Sequence, residues 1–137
     1  MNVERGYKQA ARWLMVAFMV ASGIGHFVVT DSYAAMVPAS FPSPRLLVWV
    51  SGAAELAGGI GLVIPSWRRA ASIGLVALLI AIFPANINMA VNHVSPPGMH
   101  ISPLALWLRL PFQALFIAWA WWVGRSPQVA ARPANPR

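Results

Sequence analysis

Four long apolar runs divide the chain, at about Trp13 to Thr30, Leu46 to Ile64, Ala70 to Val91 and Leu104 to Val123. A bilayer core roughly 30 Å thick takes about 20 mainly apolar helical residues to cross, because lipid offers no partner to an unpaired backbone group. Each run approaches or meets that length. The gaps hold the breakers: Pro38, Pro42 and Pro44 in the first, Pro65 in the second, and Pro96, Pro97, Gly98 and Pro103 in the third. The pattern predicts an all-α membrane protein, an antiparallel bundle of four transmembrane helices over residues 13–123. A basic segment precedes it at 1–12, and a basic, proline-rich tail follows at 124–137.

Small residues recur inside the runs, notably Gly23 and Gly25 in the first and Gly52, Gly58, Gly59 and Gly61 in the second. They let helix backbones approach closely, which is how membrane helices gain van der Waals contact. The tryptophans at 13, 49, 67, 107, 121 and 122 fall near the ends of the runs, where amphipathic rings anchor at the headgroups.

Composition sharpens this picture. Of 137 residues, 58% are apolar and 9% charged, whereas a soluble domain carries about a quarter charged. A formal net charge of +7 raises nucleic acid as a partner. The basic residues, however, flank apolar runs in the manner of membrane topology signals, so no nucleic-acid partner is expected. With the N-terminus inside, Arg5, Lys8, Arg12, Arg68, Arg69, Arg125, Arg132 and Arg137 share the cytoplasmic side, leaving Arg45 outside and Arg109 within the fourth run. Both chain ends are therefore expected in the cytoplasm, in a bacterial-type inner membrane. Lys8 and Arg12 ahead of a run ending near Ala21-Ser22-Gly23 have the outline of a signal peptide, but the first run is expected to remain as a span. There is no cysteine, which excludes disulfides, thiolate metal sites and thiol exchange by the chain itself.

Polar residues inside the runs carry the candidate chemistry. An ionisable group in a span costs about 2.5 to 3.5 kcal/mol on insertion scales, so it faces the bundle interior and has a partner or a task. Counting about 1.5 Å per residue from the outer ends, His26 lies about 6 Å deep, Asn88 about 5 Å, Asn86 and Arg109 about 8 Å, and Glu55 and Gln113 about 14 Å. All of them fall in the outer half or at the middle, and they come from all four helices. Gly52, Glu55 and Gly59 share one helix face, Ser22, Gly23 and His26 another, and Arg109 with Gln113 a third. Asn86 and Asn88 diverge by about 200°, at 100° per residue. Pro84 and Pro111 each free a carbonyl, at Ile80 and Trp107.

These positions suggest a hydrated pocket opening outward, with His26 and Glu55 as the proton-transfer pair and Asn86, Asn88, Arg109 and Gln113 as ligand-binding groups. Glu55 is expected to approach Arg109, directly or through water, His26 or Gln113. The segment from Asp31 to Pro44 is expected over the outer mouth, with Tyr33, Met36 and Phe41 turned toward it. The same residues admit a purely structural reading, in which Glu55 pairs with Arg109 or His26 and the asparagines tie helix to helix. His93 and His100 lack a third ligand at motif spacing, so no metal is assigned to them.

The chain resembles the DoxX family of small four-helix membrane proteins over about residues 13–123. The likeness rests on Gly25-His26-Phe27, Met36-Val37-Pro38, the stretch from Ser51 to Gly59, and Ile64-Pro65-Ser66-Trp67-Arg68-Arg69-Ala70. It continues in Phe83-Pro84-Ala85-Asn86-Ile87-Asn88-Met89-Ala90 and Leu108-Arg109-Leu110-Pro111-Phe112-Gln113. The resemblance implies a membrane subunit of a redox complex, with a partner oxidoreductase and a quinone or small sulfur compound as ligand. Two other readings stand beside it. One is a self-contained isomerase or hydrolase using Glu55 and His26 on an apolar small molecule, and the other is a structural or assembly protein.

Overall fold

Glycine decides where the helices touch. In the computed structural model, which describes residues 3–125, the elements are α1 (Val3–Val28), α2 (Thr30–Ala34), α3 (Pro44–Val63), α4 (Arg68–Ala81), α5 (Phe83–Asn92) and α6 (Pro103–Gly124). Four helical stretches, α4 and α5 counting as one, are long and apolar enough to cross a membrane. A Cβ on Gly52 of α3 would lie 2.6 Å from the His26 Cβ, and one on Gly23 of α1 would lie 2.9 Å from the Gly52 carbonyl oxygen. The α1–α3 contact therefore has no room for a methyl group at either position. On another side of α3, Gly58 and Gly61 receive Leu75 and Ala71 of α4. The helix α4 then meets α6, where Ser72 lies against Gly124 and donates to the Ala120 carbonyl at 2.7 Å.

These contacts also set direction. Gly23 meets Gly52 while Met19 meets Gly59, and Ser72 meets Ala120 while Leu79 meets Gln113, so neighbouring long helices run in opposite senses. The main core, Met15, Met19, Leu62, Leu75, Leu79, Ala120 and Val123, fills the half of the bundle nearer the α3–α4 turn. A smaller cluster of Met89, Ala90 and Leu106 lies toward the other end, beneath Met36. Trp13, Trp49, Trp67, Trp107, Trp121 and Trp122 are all exposed, as rings at a headgroup level must be.

The helix ends follow local chemistry. Ser102 caps α6, its hydroxyl accepting the Ala105 N–H at 3.3 Å, with Pro103 in the first turn where its missing N–H costs nothing. His93, at φ 53°, is the left-handed residue that stops α5, and the Val94 N–H returns to the Met89 carbonyl at 3.1 Å. Two features differ from what the sequence suggests. The first helix begins at Val3, so the basic segment expected at 1–12 is largely an extension of α1. The third run is two helices that part at Ile82, just ahead of Pro84, which has no N–H to give and crowds the turn before it. Pro111, by contrast, leaves α6 unbroken. The expected tail lies outside the described residues beyond Arg125.

Candidate functional site

The close contact at Gly23 and Gly52 presses His26 against the face of α3 that carries Glu55. Both side chains are buried, and the His26 Nδ1 lies 3.7 Å from the Glu55 Oε2. That distance suits an ion pair but is too long for a hydrogen bond. The Nδ1 is instead 2.9 Å from the Ser22 carbonyl oxygen. A carbonyl can only accept, so Nδ1 carries the proton and donates it there, and Nε2 remains for another partner. Tyr33 of α2 stacks on the imidazole with ring centroids 4.0 Å apart and planes 24° from parallel. Ser22 also faces the carboxyl group. Glu55 Oε2 is fully buried and has no hydrogen-bond partner. Buried oxygens of this kind are rare, and each one calls for a reason.

A second polar node lies across the bundle. The Asn86 amide donates to Gln113 Oε1 at 3.1 Å, and Gln113 Nε2 donates to the Leu79 carbonyl at 2.7 Å. Leu79 stands in the last turn of α4, whose carbonyls lose their helical partners at the break before Pro84. Gln113 of α6 thus caps α4 and orients Asn86 of α5 at once. Asn86 and Gln113 are both buried.

Between the two nodes is a cavity of about 1080 Å³. Glu55, His26, Ser22, Asn86 and Gln113 contribute polar groups to its wall, and the rest is mainly Met, Leu, Val, Ile and Phe. Tyr33, Met36, Val37, Pro38 and Phe41 line it from the α1–α3 connection. That connection is fastened at both ends: Arg45 Nε donates to Asp31 at 2.9 Å, and the Trp49 indole N–H donates to the Thr30 hydroxyl at 3.1 Å. The cavity also reaches the side of the bundle between α1 and α6. Those helices touch at Arg12 with Val123 and at Phe18 with Phe116. Continuing that register sets His26 level with Arg109, and there the cavity lies between the helices. Its wall at this level includes the exposed residues Phe18, Ala21, Leu108, Arg109 and Phe112.

The structure brings together His26, Glu55, Asn86, Gln113 and Arg109 on one cavity, but not all in the expected pairing. Arg109 is exposed at the mouth and makes no ion pair with Glu55, because the glycine face of α3 turns the carboxylate to α1 and not to α6. Asn88 does not line the cavity. It donates to the Met36 carbonyl at 3.2 Å and accepts from Asn92 at 2.7 Å, so it anchors the α1–α3 connection, on a different side of α5 from Asn86. His93 and His100 are exposed, and no group of three His or acidic side chains converges among the described residues. Tyr33 faces the mouth, as its place in the sequence suggests, but its stacking on His26 is an addition. Only its spacing from His26 across the start of α2 hinted at this.

No curated protein and no solved structure matches this chain. Residues 15–124, which contain every residue of the cavity wall, match a family described as Domain of unknown function (DUF8561), and the chain belongs to that family.

Proposed function

We propose that this chain is a multi-pass inner-membrane protein of DoxX-like type, with both ends cytoplasmic, that binds a lipid-soluble small molecule as part of a redox membrane complex. The observation that carries the reading is the unpartnered, buried Glu55 Oε2 on the wall of a cavity of about 1080 Å³. A desolvated carboxyl oxygen with nothing to bind is costly unless a ligand completes its environment. The apolar wall and the side opening between α1 and α6 favour a ligand that arrives from lipid. The polar groups are few and convergent, as in small-molecule sites.

A quinone fits this site: its ring suits the apolar wall, one oxygen can accept from the Asn86 amide, and the other, as the hydroxyl of the reduced form, can donate to His26 Nε2. It would supply the electron chemistry, with electrons from a partner oxidoreductase, since the chain has no cysteine. The chain's own residues would hold the ring and move protons. His26, fixed through Nδ1, offers the Nε2 lone pair to a ligand hydroxyl and can take its proton, while Glu55 stands behind it as the group that exchanges the proton. Arg109 at the mouth suits an anionic substituent or a small sulfur oxyanion. The test is purification in mild detergent, with mass spectrometry of the copurifying proteins and of the solvent extract. An oxidoreductase and a quinone are expected. Recovery of the chain alone, with neither, would count against the proposal.

The same carboxylate–imidazole pair favours one alternative, a self-contained isomerase or hydrolase acting on an apolar substrate by proton transfer. Turnover by the purified chain, with no partner present, would select it.

A further inference from the structure

At the end of the bundle opposite the α1–α3 connection, Arg12 and Arg68 share the wall of a second, small cavity of about 130 Å³ with Gln9, Trp13, Val16 and Val63. Each guanidinium is held by its Nε. Arg12 donates to the Val123 carbonyl at 3.2 Å, and Arg68 donates to the Leu62 carbonyl at 3.1 Å. Both carbonyls lie in the last turns of their helices, α6 and α3, where backbone acceptors lack partners and the helix dipole is negative. Anchoring through Nε leaves the terminal nitrogens of both side chains for another acceptor. Lys8 and Arg125 are near enough to add to the repulsion, and their charged groups lie over the rings of Trp122 and Trp121. Among the residues whose side chains are described, the carboxylates are Asp31 and Glu55, and neither is at this end.

We propose that this cavity is a binding site for a phosphate group, supplied in the membrane by the headgroup of an anionic phospholipid. Its lining includes two arginines beside Gln9 and Trp13. Two guanidiniums fixed side by side are the arrangement that binds phosphate oxygens through paired hydrogen bonds. They repel one another unless an anion lies between them. A cavity of about 130 Å³ has room for a headgroup phosphate. Its flanking tryptophans and its exposed rim suit the level of the bilayer where phosphates lie. The inference is independent of the ligand in the larger cavity.

Native mass spectrometry of the whole protein from micelles holding equal dioleoyl-phosphatidylglycerol and dioleoyl-phosphatidylcholine tests it. The wild-type protein is expected to retain mainly phosphatidylglycerol. Arg12→Gln and Arg68→Gln should each lower that preference about fivefold, the worth of one cation beside an anionic lipid. Arg45→Gln, at the other end and paired with Asp31, should leave it intact. If inorganic phosphate raises the unfolding temperature of delipidated protein more than chloride of equal ionic strength, and Arg68→Gln abolishes the difference, the site is upheld with a soluble phosphate as its source. Equal retention of the two lipids by the wild type with no phosphate effect would overturn the proposal, whether or not the variants fold. So would a phosphatidylglycerol preference that folded Arg12→Gln and Arg68→Gln variants retain.

Discussion

Glu55 takes His26 as its neighbour because of two residues with no side chain. Gly52 stands one turn before Glu55 on α3, and its missing Cβ is what admits His26. Gly52→Ala should therefore drive His26 away from the carboxylate, and overpacking of this kind typically costs about 1 to 3 kcal/mol. Thermal unfolding in detergent checks the loss. A variant as stable as wild type would mean that α1 and α3 are not pressed together there. The choice of partner is open to a double-mutant cycle. Glu55→Gln with His26→Ala should depart from additivity by at least about 0.5 kcal/mol, while Glu55→Gln with Arg109→Leu should add within about 0.5 kcal/mol. The sequence held the signal for this pairing. Glu55 shares its face with Gly52 and Gly59, and a glycine face seeks the closest neighbouring helix. The cost of leaving opposite charges unpaired within a span suggested Arg109, but that cost says nothing about which way two helices turn toward each other.

At the scale of elements, hydropathy and proline spacing made the four long helices legible, because each must satisfy its own backbone in lipid. The break at Ile82 was less so. Pro84 announced a freed carbonyl, but proline occurs unbroken within α6 as well, at Pro111. What differs is the company: Gln113 reaches the last turn of α4 and replaces the lost hydrogen bond at Leu79. That relation spans two helices and cannot be read along one. Gln113→Leu should leave the Leu79 carbonyl and the Asn86 amide buried without partners, a loss of about 1 to 3 kcal/mol for each group stranded. Unfolding in detergent measures it. Asn88→Ala should instead loosen the α1–α3 connection at Met36, and limited proteolysis between Asp31 and Pro44 should quicken while the bundle's unfolding temperature holds. A drop in that temperature equal to that of Gln113→Leu would place Asn88 in the core, against the contacts described.

The whole molecule has two unlike ends. Among the described residues, Lys8, Arg12, Arg68, Arg69 and Arg125 gather at one, whereas at the other Arg45 is neutralised by Asp31 and only Arg109 adds charge. This asymmetry supports cytoplasmic placement of the basic end. Reporters that work only in the cytoplasm should be active when fused to either end of the chain, and activity at one end alone would break the four-span topology. Between those ends the polar groups surround one cavity, which the sequence suggested through their shared depth. Its size and its side opening between α1 and α6 depend on helix packing that no single segment encodes. A ligand that fills this cavity and completes Glu55 should be visible there. An experimental structure of the wild-type protein in lipid tests this most directly. Density is expected for an identifiable apolar molecule between α1 and α6, with a polar atom within hydrogen-bond reach of Glu55 Oε2 or His26 Nε2. A cavity closed by side chains, or filled by water alone, would contradict this.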